Sequence, residues 1–262
     1  MSRIDPNEVD AIVRRVKARF GEKLPPPPPS PSARAAAGSE ARSQGGEGVF
    51  ATVDEATEAA WGAYREYGRL GFSIRQAVID SIRASMREQA ERLGRMAHEE
   101  TGLGRPQDKR LKNLLVTEKT PGPEDLETRT VSGDKGKTWT EYSPYGVIGS
   151  ITPTTNPTAT IINNTIGILS AGNAVVFNVH PNARRVSLEN VRLLNRAIVR
   201  AGGPPNLVTA LEDPTIETAQ ALMRHPRIRV LLVTGGPGVV KEAQKTNKKA
   251  ILAGPGNPPV VV

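Results

Sequence analysis

Two loops in this 262-residue sequence combine residue types and placement suited to holding a ligand. The first is the polar elbow Thr152-Pro153-Thr154-Thr155-Asn156-Pro157, set between an apolar run and an apolar-striped segment. The second is Thr234-Gly235-Gly236-Pro237-Gly238, which ends a β-branched run and leads into Val239 and Val240. At such a strand-to-helix loop, free backbone N–H groups and the helix dipole favour an anion, and glycine allows close approach. The second loop is neither GxGxxG nor a P-loop, and a tight βα turn accounts for it equally well. Other chemistry has little support. The sequence has no cysteine, so these residues supply no disulfide, thiolate metal site or cysteine nucleophile. His98, His180 and His225 lie too far apart for a local metal motif, and no metal is expected.

The elements around the first loop fix where it must lie. Tyr145–Ile151 is short, apolar and β-branched, the pattern of a buried strand. Asn156-Pro157 is a helix-start signature, with Asn as N-cap and Pro at the first helical position. Ile161, Ile162, Thr165, Ile168 and Leu169 then form one apolar stripe, and Gly172-Asn173 closes the helix. Ala174–Phe177 is a second buried strand. This is a βαβ unit, and ligands in such folds gather at the carboxyl ends of the strands, where the elbow sits.

The alternation continues downstream. Helix 186–201, strand 206–210, a short helix begun by Asp213-Pro214, strand 228–233, a helix through Val239 and strand 250–253 follow in order. Upstream, 53–70 reads as a helix. Ser73-Ile74-Arg75-Gln76 reads as a capping box opening a long amphipathic helix that Gly102 stops. A polar stretch, TGLGRPQDKRLKN, leads into a further helix at Leu111, Leu114 and Leu115. Val131–Tyr142 surrounds Gly133-Asp134-Lys135-Gly136 and reads as a β-hairpin, which either pairs with another subunit or projects as a solvated flap. The fold class is therefore α/β: a Rossmann-like, mostly parallel sheet with flanking helices, preceded by a helical region and a β-hairpin.

At the amino terminus, Asp5-Pro6-Asn7-Glu8 is a capped helix start, and Val9, Ile12, Val13, Val16 and Phe20 mark one apolar face. Residues 1–24 form an amphipathic helix, 25–48 a Pro/Ala/Gly-rich linker, and 49–262 the folded domain. A helix of this length is marginal alone and folds when its apolar face finds a partner; the alternative is a frayed tail. The net charge of +8 is spread along the chain and only 4% of residues are aromatic, so no nucleic-acid partner is expected. No run approaches the roughly 18 apolar residues of a membrane span, and no signal peptide opens the chain. No membrane partner is expected. The closing run Val260-Val261-Val262 ends abruptly, and the sequence is read as truncated.

In this order, PTTNPT, AGNAVVFNVHP, AGGPPNL, ALMRHP, VTGGPGVVK and AGPGNPPVV closely resemble the aldehyde dehydrogenase superfamily. Within it they resemble the CoA-acylating branch, and the resemblance runs from about Gly48 to Val262, including FSIRQAVID and TGLGR–DK–KN. It implies NAD-dependent oxidation of a short-chain aldehyde to its acyl-CoA, with NAD as cofactor and coenzyme A as co-substrate. It assigns Asn156 to stabilising the thiohemiacetal oxyanion, a role that competes with plain N-capping. A fixed N–H donor there is worth roughly 3–4 kcal/mol. Thr154, Thr155 and Pro157 would line the nicotinamide end, and Thr234, Gly235, Gly236, Pro237 and Gly238 would approach the diphosphate. His180 either positions the nucleotide or is a surface histidine.

Two departures matter. Asn178 stands where hydrolytic members have a ribose-contacting lysine, and no glutamate stands near Leu252 to activate water. Loss of that base fits an acyl-enzyme released to a thiol. The family's nucleophilic cysteine falls beyond Val262, so residues 1–262 alone are predicted inactive; the alternative is a non-catalytic cofactor-binding or docking module. The capped tail resembles encapsulation peptides. That implies docking to a microcompartment shell through residues 5–20 and a cytoplasmic location inside a bacterial microcompartment. Separately, a homo-oligomer is expected, with the hairpin as the candidate for pairing with another subunit.

Overall fold

The computed structural model describes residues 46–254 and 256. The expected amino-terminal helix (1–24), residues 25–45 of the expected linker and the final valine run lie outside the described residues. Gly46–Gly48, the end of that linker, form a short 3-10 turn whose Glu47 carbonyl accepts from Asn195 Nδ2 at 3.2 Å. In chain order the strands are β1 (Val49–Phe50), β2 (Arg129–Gly133), β3 (Gly136–Thr140), β4 (Val147–Ile151), β5 (Ala174–Asn178), β6 (Val208–Leu211), β7 (Ile228–Thr234) and β8 (Lys249–Ala253). The helices are α1 (Val53–Tyr67), α2 (Phe72–Thr101), α3 (Pro106–Lys119), α4 (Pro157–Ser170), α5 (Arg184–Arg200), α6 (Ile216–Arg224) and α7 (Pro237–Gln244).

Six strands pair in the order β1-β6-β5-β4-β7-β8, all parallel. β4 and β5 are buried along their whole length, as suits their mainly apolar sequences in strands covered on both faces; the buried Ser150 hydroxyl accepts from Asn164 Nδ2 at 3.1 Å. The chain moves outward from β4 through β5 to β6, then crosses back to place β7 on the other side of β4. That reversal makes the carboxyl ends of β4 and β7 a topological switch point, where an open α/β sheet leaves a crevice. Helices α2, α4 and α5 pack together on one face, while α1, α6 and α7 cover the other. Their apolar sides and the sheet make one continuous core, with Phe177, Ile161, Ile162, Leu194 and Ile198 fully buried.

Two sequence expectations about helix starts are corrected. Helix α2 begins at Phe72 with Gly71 as an extended N-cap, so Ser73 lies inside the helix and forms no capping box. Arg75 instead stacks over Tyr67 and Phe72, tying the first turn of α2 to the end of α1. Helix α6 is capped by Thr215, whose hydroxyl accepts from the Thr218 amide while Thr218 Oγ1 accepts from the Thr215 amide. The turn at Asp213-Pro214 therefore precedes the helix start. The hairpin stands as expected: β2 and β3 pair antiparallel around Asp134-Lys135, and both strands are exposed throughout, including Trp139. Among the described residues, no helix is long and apolar enough to cross a membrane.

Candidate active site

The elbow and the glycine loop lie side by side because β4 and β7 are parallel neighbours, pairing Ile151 with Val233. Both loops border one cleft of about 900 Å³. Ile151, Thr152, Thr154, Thr155 and Asn156 form one side, Thr234, Gly235, Gly236 and Gly238 another, and Asn178 and His180 close the end of β5. Two expected residues do not reach it. Pro157 is buried at the first position of α4, and Pro237 opens α7; neither lines the cleft, because each ring is committed to starting its helix.

Asn156 holds the N-cap position of α4, yet its side chain makes no cap hydrogen bond. Its Oδ1 instead accepts from Lys112 Nζ at 3.0 Å. Ammonium groups only donate, so this contact identifies the oxygen and leaves the Nδ2 hydrogens for another acceptor. The competing capping role is thus not taken up by the side chain. One turn earlier on α3, the buried Lys109 donates to the Thr155 carbonyl at 3.1 Å. Burial, followed by the nearby Lys112 charge, holds the Lys109 ammonium below the ordinary lysine pKa.

At the other loop, Gly236 is an extended N-cap for α7 and no side chain caps that helix. A Cβ built on Gly236 would meet nothing within 4 Å, so open space lies over the loop where an anion would approach the amides. His180 borders the cleft, but its Nδ1 accepts from the Asn182 amide and so caps a short turn. Asn178 is buried and structural: Oδ1 accepts from Thr218 Oγ1 at 2.7 Å, and Nδ2 donates to the Thr215 carbonyl at 3.4 Å.

Sequence reasoning missed part of the wall. Ile216, Ala219, Met223 and Val239 give the cleft an apolar flank between α6 and α7. Ile216 is 73% exposed there, an apolar group without cover in the first turn of a short helix. The residue order of α6 alone does not show which of its apolar members face outward. Lys109 and Lys112 stand in the TGLGR–DK–KN stretch, and their three-residue spacing places both on one face of α3, but the sequence does not show that they meet the elbow. A nicotinamide dinucleotide fits this arrangement. The cleft offers an apolar slot, an uncapped helix start beneath open space, and the buried Thr152 Oγ1, which has no protein partner.

Comparison with known proteins agrees with the geometry. The profile of the aldehyde dehydrogenase family matches residues 40–262. An acetylating acetaldehyde dehydrogenase of Bilophila wadsworthia is 48% identical over 216 residues, spanning 82% of this chain and 44% of the relative. An engineered glycolyl-CoA reductase solved with bound NADP+ is 51% identical with a TM-score of 0.80, over 83% of this chain and 50% of that one. A propionaldehyde dehydrogenase from the Clostridium phytofermentans fucose utilisation microcompartment is 48% identical with a TM-score of 0.79, over 81% and 49% respectively. The chain spans about half the length of the relatives it matches. Their acylating members are its strong likenesses, and the chain itself belongs to the aldehyde dehydrogenase family.

Proposed function

We propose that this chain is the cofactor-binding portion of an NAD-dependent, CoA-acylating aldehyde dehydrogenase acting on a short-chain aldehyde. One observation carries the reading: the elbow and the glycine loop share a cleft, and the Asn156 amide borders it without being spent on helix capping. The bound nicotinamide would supply the hydride acceptor. The amides at the start of α7 would hold the diphosphate, and Ile216, Met223 and Val239 would cover the adenine ring. Thr154 and Thr155 would border the nicotinamide end. Asn156 would donate an Nδ2 hydrogen to the oxyanion formed when a cysteine thiolate adds to the aldehyde. No cysteine stands in these 262 residues, so that nucleophile would have to be supplied from outside them.

The same reading makes residues 1–24 a docking helix for a microcompartment shell through residues 5–20, and the exposed hairpin a homo-oligomer contact. The microcompartment origin of the Clostridium relative supports the first; the exposure of Val131 and Trp139 supports the second. The test is CoA-dependent formation of reduced nicotinamide from acetaldehyde or propionaldehyde. Residues 1–262 alone should give none. A protein joining this chain to a cysteine-bearing half should turn over, and Asn156→Ala should lower its kcat roughly 100- to 1000-fold, the cost of losing one oxyanion donor. Turnover by the isolated chain would refute the mechanism.

A further inference from the structure

The row Lys109, Lys112 and Asn113 on α3 has no place in the chemistry described so far. These positions are three and four residues apart, on one face of the helix. They grip the end of the elbow and the first turn of α4. Lys109 Nζ donates to the Thr155 carbonyl at 3.1 Å, Lys112 Nζ donates to Asn156 Oδ1 at 3.0 Å, and Asn113 Oδ1 accepts from Thr158 Oγ1 at 2.8 Å. Asn113 also donates through Nδ2 to the Ala90 carbonyl at 3.1 Å, so the row is anchored to α2 as well as to α4. Thr158 is held again from α5, where Asn190 Nδ2 donates to its carbonyl at 3.2 Å.

We propose that Lys112 is a positioning residue that fixes the Asn156 carboxamide with its oxygen on α3 and its N–H groups turned to the cleft. Lys112 itself does not border the cleft, whereas Asn156 does, so the lysine acts through the asparagine. The reasoning is chemical. An asparagine side chain can rotate to present either end, and at an N-cap its oxygen would ordinarily turn to the helix amides. A donor-only ammonium at 3.0 Å removes that choice and polarises the amide, making each N–H a stronger donor. The inference rests on the oxyanion role proposed above for Asn156, and its test separates the two.

The first arm uses the 262-residue chain with ¹⁵N-labelled asparagine, the Asn156 side-chain amide signal being assigned by its loss in Asn156→Ala. Lys112 is exposed, so Lys112→Met leaves the core untouched. In that variant the Asn156 amide pair should shift toward the values of a freely rotating asparagine side chain, because its oxygen has lost the cation. Lys112→Arg should keep shifts close to the wild type. An unchanged pair in Lys112→Met overturns the inference.

The second arm measures turnover in a protein that carries this chain with a cysteine-bearing half. Lys112→Met should lower kcat about tenfold, a share of the roughly hundredfold cost of losing the donor itself. KM for NAD should stay within about twofold, since ground-state binding does not use this bond. In an Asn156→Ala background, Lys112→Met should change nothing further. If Asn156→Ala retains full rate, the oxyanion reading fails and the kinetic part of the inference fails with it. If Asn156→Ala collapses while Lys112→Met keeps full rate, the oxyanion reading survives and the positioning inference is overturned.

Discussion

Replacing Gly94 by alanine should loosen the scaffold behind the elbow. Gly94 lies within α2 where α3 crosses it, and a Cβ there would sit 2.9 Å from the Arg110 nitrogen, 3.1 Å from the Pro106 carbonyl oxygen and 3.3 Å from Arg110 Cα. All three are backbone atoms, so no flexible side chain can retreat; α3 itself must move by several tenths of an ångström. Two effects oppose each other. Alanine favours a helix interior over glycine by about 1 kcal/mol, while overpacking a tight contact costs about 1–3 kcal/mol. The backbone clash should win, leaving Gly94→Ala destabilised by up to about 2 kcal/mol. Gly62 in α1 and Gly167 in α4 provide the controls, since a Cβ at either meets nothing within 4 Å. Alanine at those positions should stabilise by about 1 kcal/mol. Thermal unfolding of the three variants side by side resolves this, because 1 kcal/mol moves Tm by about 2–4 °C in a domain of this size. A displaced α3 should also lengthen the bonds from Lys109 and Lys112 to the elbow. If Gly94→Ala matches the two control variants in stability, the close-contact argument is wrong.

Tyr67 is 2% exposed, its hydroxyl has no partner, and burial pushes its pKa well above the ordinary tyrosine value. Tyr67→Phe should therefore be at least as stable at neutral pH. The raised pKa means the native state keeps its proton while the unfolded phenol ionises, so the wild type should lose stability as pH rises past about 10. Unfolding free energies measured across that range should fall less steeply for Tyr67→Phe; parallel slopes would count against the buried phenol. Ile216→Glu should leave stability within about 0.5 kcal/mol, because the side chain is already exposed. It should weaken NADH binding at least about tenfold by placing a charge on the apolar flank. Calorimetric titration decides, and undiminished affinity would remove that flank from the cofactor site.

The parallel sheet and its edge were legible because β4, β5 and β7 are short runs rich in Val, Ile and Leu, the pattern of strands covered on both faces, although Arg229 in β7 stays exposed. The order of motifs exposed the elbow and the glycine loop, and parallel pairing was enough to bring them together. Helix starts read less well. Ser73 and Asp213 carry good capping chemistry, but Gly71 and Thr215 won the positions, since packing of Arg75 on Tyr67 and Phe72, and the bond from Thr218 to Asn178, fix the first turns. The Thr218–Asn178 bond joins residues 40 apart in sequence, and Arg75 packs back across the α1–α2 turn, so neither contact shows as a capping pattern. Asn156 shows the same limit from the other side. Its N-cap position was legible, but the partner of its side chain comes from Lys112, 44 residues earlier, and only the folded chain reveals it.

The central claim is that a nicotinamide dinucleotide lies over the loop from Thr234 to Gly238, and Gly236 allows a direct test. Gly236 borders the cleft and a Cβ there meets no protein atom within 4 Å, so Gly236→Val should fold normally while competing for the space of the diphosphate. NADH should be titrated into the 262-residue chain and into Gly236→Val, with thermal unfolding of both as the folding control. Saturable binding by the wild type and none by the equally stable variant is the expected result. Undiminished binding by Gly236→Val, or no binding by the wild type, would contradict the account.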